Sequence, residues 1–94
     1  MEKVKRCHWG THRPVLEVGV RKGCAIELGY RKDDPYTQWV VEYAGNGHYF
    51  KTARECMEYC KRRGWVKTQD EIDRFVAEAE ANAEKLTKDA HEDR

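Results

Sequence analysis

Apolar and polar positions alternate over residues 15–20 (Val-Leu-Glu-Val-Gly-Val) and again over 24–30 (Cys-Ala-Ile-Glu-Leu-Gly-Tyr). A period of two puts Leu16, Val18 and Val20 on one face of a first strand, and Cys24, Ile26, Leu28 and Tyr30 on the matching face of a second. Arg21-Lys22-Gly23 lies between the runs, and a three-residue loop ending in Gly, which accepts left-handed backbone, predicts a β-hairpin. A third alternating run, 38–43 (Gln-Trp-Val-Val-Glu-Tyr), follows the turn signal Asp33-Asp34-Pro35 and is closed by Gly45-Asn46-Gly47. His48-Tyr49-Phe50 reads as a short fourth strand. Clean alternation rather than a continuous apolar run predicts an antiparallel meander buried on one face only.

The period then changes to that of a helix. Thr52-Ala53-Arg54-Glu55 has the spacing of a capping box and Gly64 is a natural left-handed stop, framing a helix over 53–63. Its stripe, Ala53, Cys56, Met57 and Cys60, should lie on the sheet. Trp65, just past the stop, is placed to fold back on the last turn. Thr68-Gln69-Asp70-Glu71 repeats the capping pattern and opens a second helix striped by Ile72, Phe75, Val76, Ala79, Ala83 and Leu86. Its other faces are acidic, so it packs on the body or pairs with a copy of itself. The expected fold is a single α+β domain over 1–94. It comprises an N-terminal arm (1–13), a three- to four-stranded antiparallel sheet (14–50), a helix covering one sheet face (52–64) and an amphipathic acidic helix (68–90).

A chain of 94 residues has room for one core, and three Trp, five Tyr and two Phe supply large apolar area to it. No apolar run reaches membrane-spanning length, and the start Met1-Glu2-Lys3 lacks the apolar segment of a secretory signal. A cytoplasmic location follows as the expectation, where Cys7, Cys24, Cys56 and Cys60 remain thiols. Residues 1–68 carry fourteen Lys/Arg against eight Asp/Glu and residues 69–94 carry four against nine, so +6 is followed by −5. The two halves can neutralise each other on folding, or form a nucleic-acid-facing body with an acidic tail.

Catalytic chemistry finds little support in the chain. There is no serine, the histidines at 8, 12, 48 and 91 keep no recognisable spacing to a cysteine, and no phosphate-binding glycine loop occurs. Cys56 and Cys60 stand four apart on a helix rather than in a zinc knuckle, and Cys7, His8 and His12 offer only scattered further donors. Buried thiols are the simpler reading. The expectation is a non-enzymatic binding protein without metal or cofactor.

Strand register gives a sharper feature. With residues 21–23 as the loop, Val20 opposes Cys24, Val18 opposes Ile26, Leu16 opposes Leu28, and Glu17 faces Glu27 on the reverse side. Setting Leu28 opposite Val41 brings Glu42 beside Glu27. Strands lie about 4.8 Å apart, and like charges directly opposite one another are unfavourable. The row Glu17-Glu27-Glu42 is therefore either neutralised by nearby Lys and Arg or presented to a basic partner surface, with Tyr36 among the aromatics able to act as a hot spot. The alternative surface is cationic: Arg13, Arg21, Lys22, Arg31 and Lys32 at the sheet ends could contact phosphates. Lys61-Arg62-Arg63 has a local explanation, because cations complement a helix C-terminus.

The order of three strands then a helix, with Trp39 in the third strand, Phe50 before the helix and Thr52-Ala53-x-Glu55 opening it, resembles the sheet-plus-helix DNA-binding domains of plant apetala-type factors and integrase arm-binding domains. It covers about residues 15–64, and implies DNA reading by the exposed sheet face through Arg and aromatic side chains. On that face this chain carries Glu17, Glu27 and Glu42, which repel phosphate. A compact domain with no catalytic set, a carboxylate row and many aromatics is similar in style to small phage-encoded anti-CRISPR proteins. That similarity implies an inhibitor or adaptor docking on a nucleic-acid-handling protein complex in a host cytoplasm. Direct DNA or RNA binding through the basic turns is the alternative, and a homodimer through the C-terminal helix is a further possibility for assembly.

Overall fold

A computed structural model describes residues 12–92. Its elements run β1 (Arg13–Arg21), β2 (Cys24–Tyr30), β3 (Trp39–Tyr43), β4 (Asn46–Phe50), α1 (Ala53–Arg62) and α2 (Gln69–Glu92). The strands form one antiparallel sheet in the order β1-β2-β3-β4, so the α+β meander predicted from alternation is the fold. Cys7, His8 and most of the N-terminal arm lie outside the described residues.

The first hairpin is tighter than its sequence suggests. Arg21 pairs with Cys24, leaving Lys22 (φ 52°) and Gly23 (φ 78°) as a two-residue turn with both residues left-handed. That is the turn whose twist matches the strands it joins. The register near the turn is accordingly displaced, with Val20 facing Ala25 and Gly19 facing Ile26. An irregularity between Glu17 and Gly19 absorbs the extra residue, so Leu16 still faces Leu28 and Glu17 still faces Glu27. A second bulge between Pro14 and Leu16 turns both Val15 and Leu16 into the core. Bulges and proline are characteristic of edge strands, and β1 is an edge. The β3–β4 hairpin closes in the same way through Ala44 (φ 53°) and Gly45 (φ 83°), so β4 begins at Asn46, two residues before His48.

Both helices cover the same face of the sheet. The α1 stripe, Ala53, Cys56, Met57 and Cys60, is buried as its spacing demands, against β3 and β4. α2 packs along β1 and α1, burying Ile72, Val76, Ala79 and Ala83, with Phe75 and Leu86 partly covered. Its apolar stripe thus lies within the body. Both capping boxes form: Thr52 Oγ1 accepts from the Glu55 amide at 3.1 Å and Thr68 Oγ1 from the Glu71 amide at 3.1 Å. Among the described residues no helix is long and apolar enough to cross a membrane.

The sheet's reverse face is also largely covered, contrary to the one-sided burial that alternation predicts. Ala25, Glu27 and Val40 are all buried on it. β2 and β3 are interior strands, and the middle of this face is built from small residues, Ala25, Gly29 and Gly47. Larger neighbours, among them Glu17, Glu42 and Tyr49, stand around that centre and take the solvent. His12 adds to this shielding, with its ring 5.5 Å from that of Tyr49 and its Nε2 2.8 Å from the Thr37 carbonyl.

Candidate functional site

The carboxylate row exists as a register but not as a presented surface. Glu17 pairs with Glu27 and Glu27 with Glu42. Glu17 is exposed, yet Glu27 is only 6% exposed, which corrects the expectation of three outward-facing charges. Glu42 leans away over β4, where its Oε2 would lie 2.9 Å from a Cβ built on Gly47, the residue it faces. The glycine gives that carboxylate room, and the leaning eases the like-charge crowding that the register sets up. Tyr36, the fourth predicted contact, is the most exposed large ring among the described residues, at 69%. It sits in a turn fixed by Asp34, whose Oδ1 accepts from the Tyr36 amide at 2.9 Å. That bond, then Thr37 and the Arg31 charge, hold the Asp34 carboxyl below its ordinary value.

The predicted cations divide between two ends of the sheet. Arg13 and Arg31 flank the paired residues at the end where residues 31–38 connect β2 to β3, and Lys32 follows them. Arg31 is engaged within this connection, donating to Thr37 Oγ1 at 2.6 Å and lying 3.6 Å from the Asp34 carboxylate. Arg21 and Lys22 stand at the opposite end, beside the two tight turns. The five residues therefore do not form one surface.

At the turn end, other residues join Arg21 and Lys22. Tyr43 donates its hydroxyl to the Arg21 carbonyl at 3.1 Å, and its ring lies 5.1 Å from that of Trp65. Trp65 is held there because the chain turns away after α1 through Gly64 (φ 82°) and the Trp65 amide bonds back to the Cys60 carbonyl at 2.9 Å. Tyr59 continues the aromatic series, 6.0 Å from Trp65, 5.6 Å from Phe50 and 4.8 Å from His48. These rings wall a cleft of about 230 Å³ floored by Val41 and rimmed by Asn46, His48 and Arg63. The Arg63 guanidinium lies 5.1 Å over the Trp65 ring and that of Arg62 lies 5.9 Å from Tyr59. The three segments that build this end, 18–26, 41–50 and 59–65, carry Arg21, Lys22, Lys61, Arg62 and Arg63 against one carboxylate, Glu42, which stands on the reverse face of the sheet beside Gly47. No family model matches this chain, and neither a curated protein nor a solved structure matches it.

A second concavity, about 590 Å³, lies at the other end between the sheet and α2. Its floor is the Tyr30–Trp39 ring pair, 4.9 Å apart, and Glu80 and Glu84 stand on its α2 wall. Cys56 and Cys60 belong to the core: burial pushes the Cys56 thiol well up and the Cys60 thiol up to about 12, from an ordinary 9.0. Such thiols are neither nucleophiles nor ready metal ligands at neutral pH. Among the described residues no group of three His, Cys, Asp or Glu is arranged to hold a metal ion.

Sequence reasoning put Trp65 against the last turn of α1 but did not bring it to Tyr43, Tyr59 and His48. The missing link was the second hairpin, whose register sets Tyr43 opposite Asn46 and His48 opposite Val41. Tyr43-Ala44-Gly45-Asn46 hides that turn, because Ala is an unusual occupant of a left-handed turn position.

Proposed function

We propose that this chain is a non-catalytic binding module that engages nucleic acid through the turn end of its sheet. The observation that carries the reading is the joining of five exposed cations, Arg21, Lys22, Lys61, Arg62 and Arg63, to a cleft walled by aromatic rings, in segments whose single carboxylate, Glu42, stands on the reverse face of the sheet. Cations neutralise phosphates and aromatic rings offer stacking platforms, and sequence-tolerant nucleic-acid binders combine these two elements. The burial of Glu27 weakens the case for a carboxylate docking row and shifts the balance toward this surface.

The test is fluorescence anisotropy with labelled DNA and RNA at two salt concentrations. With five phosphates neutralised, affinity should fall roughly a hundredfold between 50 and 200 mM salt. Paired Arg21→Glu and Arg63→Glu changes should abolish binding, whereas Lys32→Glu at the other end should leave it unchanged. Binding that is insensitive to salt, or lost equally in the Lys32 variant, rejects this surface.

A second reading, an inhibitor or adaptor docking on a nucleic-acid-handling protein in the manner of an anti-CRISPR-like phage protein, is favoured by the opposite groove. An aromatic floor beside Glu80 and Glu84 suits a Lys or Arg side chain from a basic partner surface. The exposed ring of Tyr36 would add a contact, and Glu84→Lys with Tyr36→Ala should then release the partner.

A further inference from the structure

Building on the nucleic-acid reading, we infer that the turn-end cleft takes a single unstacked base, so that the ligand is a single strand rather than a duplex. The cleft is concave, whereas a duplex offers only a phosphate ridge and groove edges to such a surface. Its volume of about 230 Å³ lies below the roughly 300 to 1,000 Å³ of drug-sized pockets and suits one planar ring system. Tyr43, Tyr59 and Trp65 are half-buried and fixed against one another, so their faces are held in place before any ligand arrives. Val41, 1% exposed, closes the floor with an apolar surface that no polar ligand atom would favour. Polar groups are confined to the rim. There the exposed Asn46 amide carries both donors and an acceptor for a base edge, and His48 and Arg63 stand beside it.

The surrounding charge fits the same ligand. A base seated between Trp65 and His48 brings its own phosphate to the rim, where Arg63 lies over Trp65, and the strand can continue past Arg62 and Lys61 in one direction and toward Arg21 and Lys22 in the other. An aromatic side chain of a protein would fill the cleft equally well, but it would bring no phosphates to these five cations.

The experiment compares a labelled twelve-residue thymidine strand, an abasic strand of equal length and a twelve-base-pair duplex under one salt condition, with thymidine monophosphate as competitor. One stacked base should make the thymidine strand bind about five- to 150-fold more tightly than the abasic strand. Trp65→Leu, which keeps apolar bulk but removes the stacking face, should collapse that ratio toward one, whereas Lys32→Glu at the far end of the sheet should leave the ratio unchanged. His48→Ala, at an exposed site, should reduce the ratio in a fold that circular dichroism verifies as intact. Equal affinity for the thymidine and abasic strands, or a preference for duplex, overturns the inference and leaves the nucleic-acid reading standing. Thymidine monophosphate binding as tightly as the strand makes a free nucleotide the ligand and also overturns it. Absence of binding to every polymer rejects the underlying reading as well, and points to a protein occupant.

Discussion

Thr68 and Glu71 exchange hydrogen bonds across the first turn of α2, and Glu71 reaches further, accepting from the Thr68 amide at 3.1 Å and the Lys67 amide at 2.8 Å. These amides have no intrahelical partner, so their satisfaction rests on two side chains that were legible in the sequence as a Thr-x-x-Glu pair. Thr68→Ala should lower unfolding stability by about 1 kcal/mol in urea titration. The Lys67 and Thr68 amides also hold the Glu71 carboxyl below its ordinary 4.5. Because the folded value is the depressed one, the stabilising contribution is fully present above 4.5 and is lost as pH falls through the lower folded value. Glu71→Gln should therefore flatten the acid limb of a stability-versus-pH curve. Ala44 was not legible as a turn residue, since nothing about alanine signals the φ of 53° it adopts. Left-handed backbone is unfavourable for any residue with a Cβ, and Ala44→Gly should raise stability by about 1 kcal/mol. At Cys56 and Cys60, native protein at pH 8 should resist iodoacetamide that labels both thiols after unfolding. Labelling of either in the folded state would contradict their burial.

At the level of elements, periodicity identified all four strands and both helices, because each has one face against a common core. What it missed depended on contacts between elements. Two-sided burial of β2 follows from its interior place between β1 and β3, whose larger side chains flank its own small Ala25 and Gly29, and a single strand's pattern does not record its neighbours. The three-residue loop expected at 21–23 gave way to a two-residue turn because β1 contains bulges that shift its pairing, and a bulge leaves no mark on alternation beyond the adjacent apolar pair Val15-Leu16. One of those bulges has a partner from far along the chain: Asn82 Nδ2 donates to the Val15 carbonyl at 2.7 Å, linking the middle of α2 to the edge strand. Asn82→Ala leaves a partly buried carbonyl without its donor and should cost about 1–3 kcal/mol. Hydrogen exchange at β1 amides would follow if that bond holds the edge in place; unchanged protection there would show that packing alone does so. The surface pair Arg54–Asp73, 2.9 Å apart but half-exposed on both sides, also joins α1 to α2 and contributes much less.

For the molecule as a whole, the charge division between residues 1–68 and 69–94 was visible in the sequence, but not its arrangement in space. Folding does more than let the two halves neutralise each other. The turn end gathers cations contributed by β1, the first turn and α1, while Glu80 and Glu84 stand on α2 toward the opposite end, where Arg31 is already occupied by Asp34. The cleft escaped detection because its walls come from β3, α1 and the segment after α1, brought together by topology rather than by spacing. Separated charge of this kind makes the protein an electric dipole, and a polyanion exerts torque on a dipole well before the two touch. On the proposed nucleic-acid reading, the molecule in dilute salt would rotate during approach so that a larger share of collisions begins cleft-first. Added electrolyte would remove that guidance, slowing capture without altering the shape of the docked state.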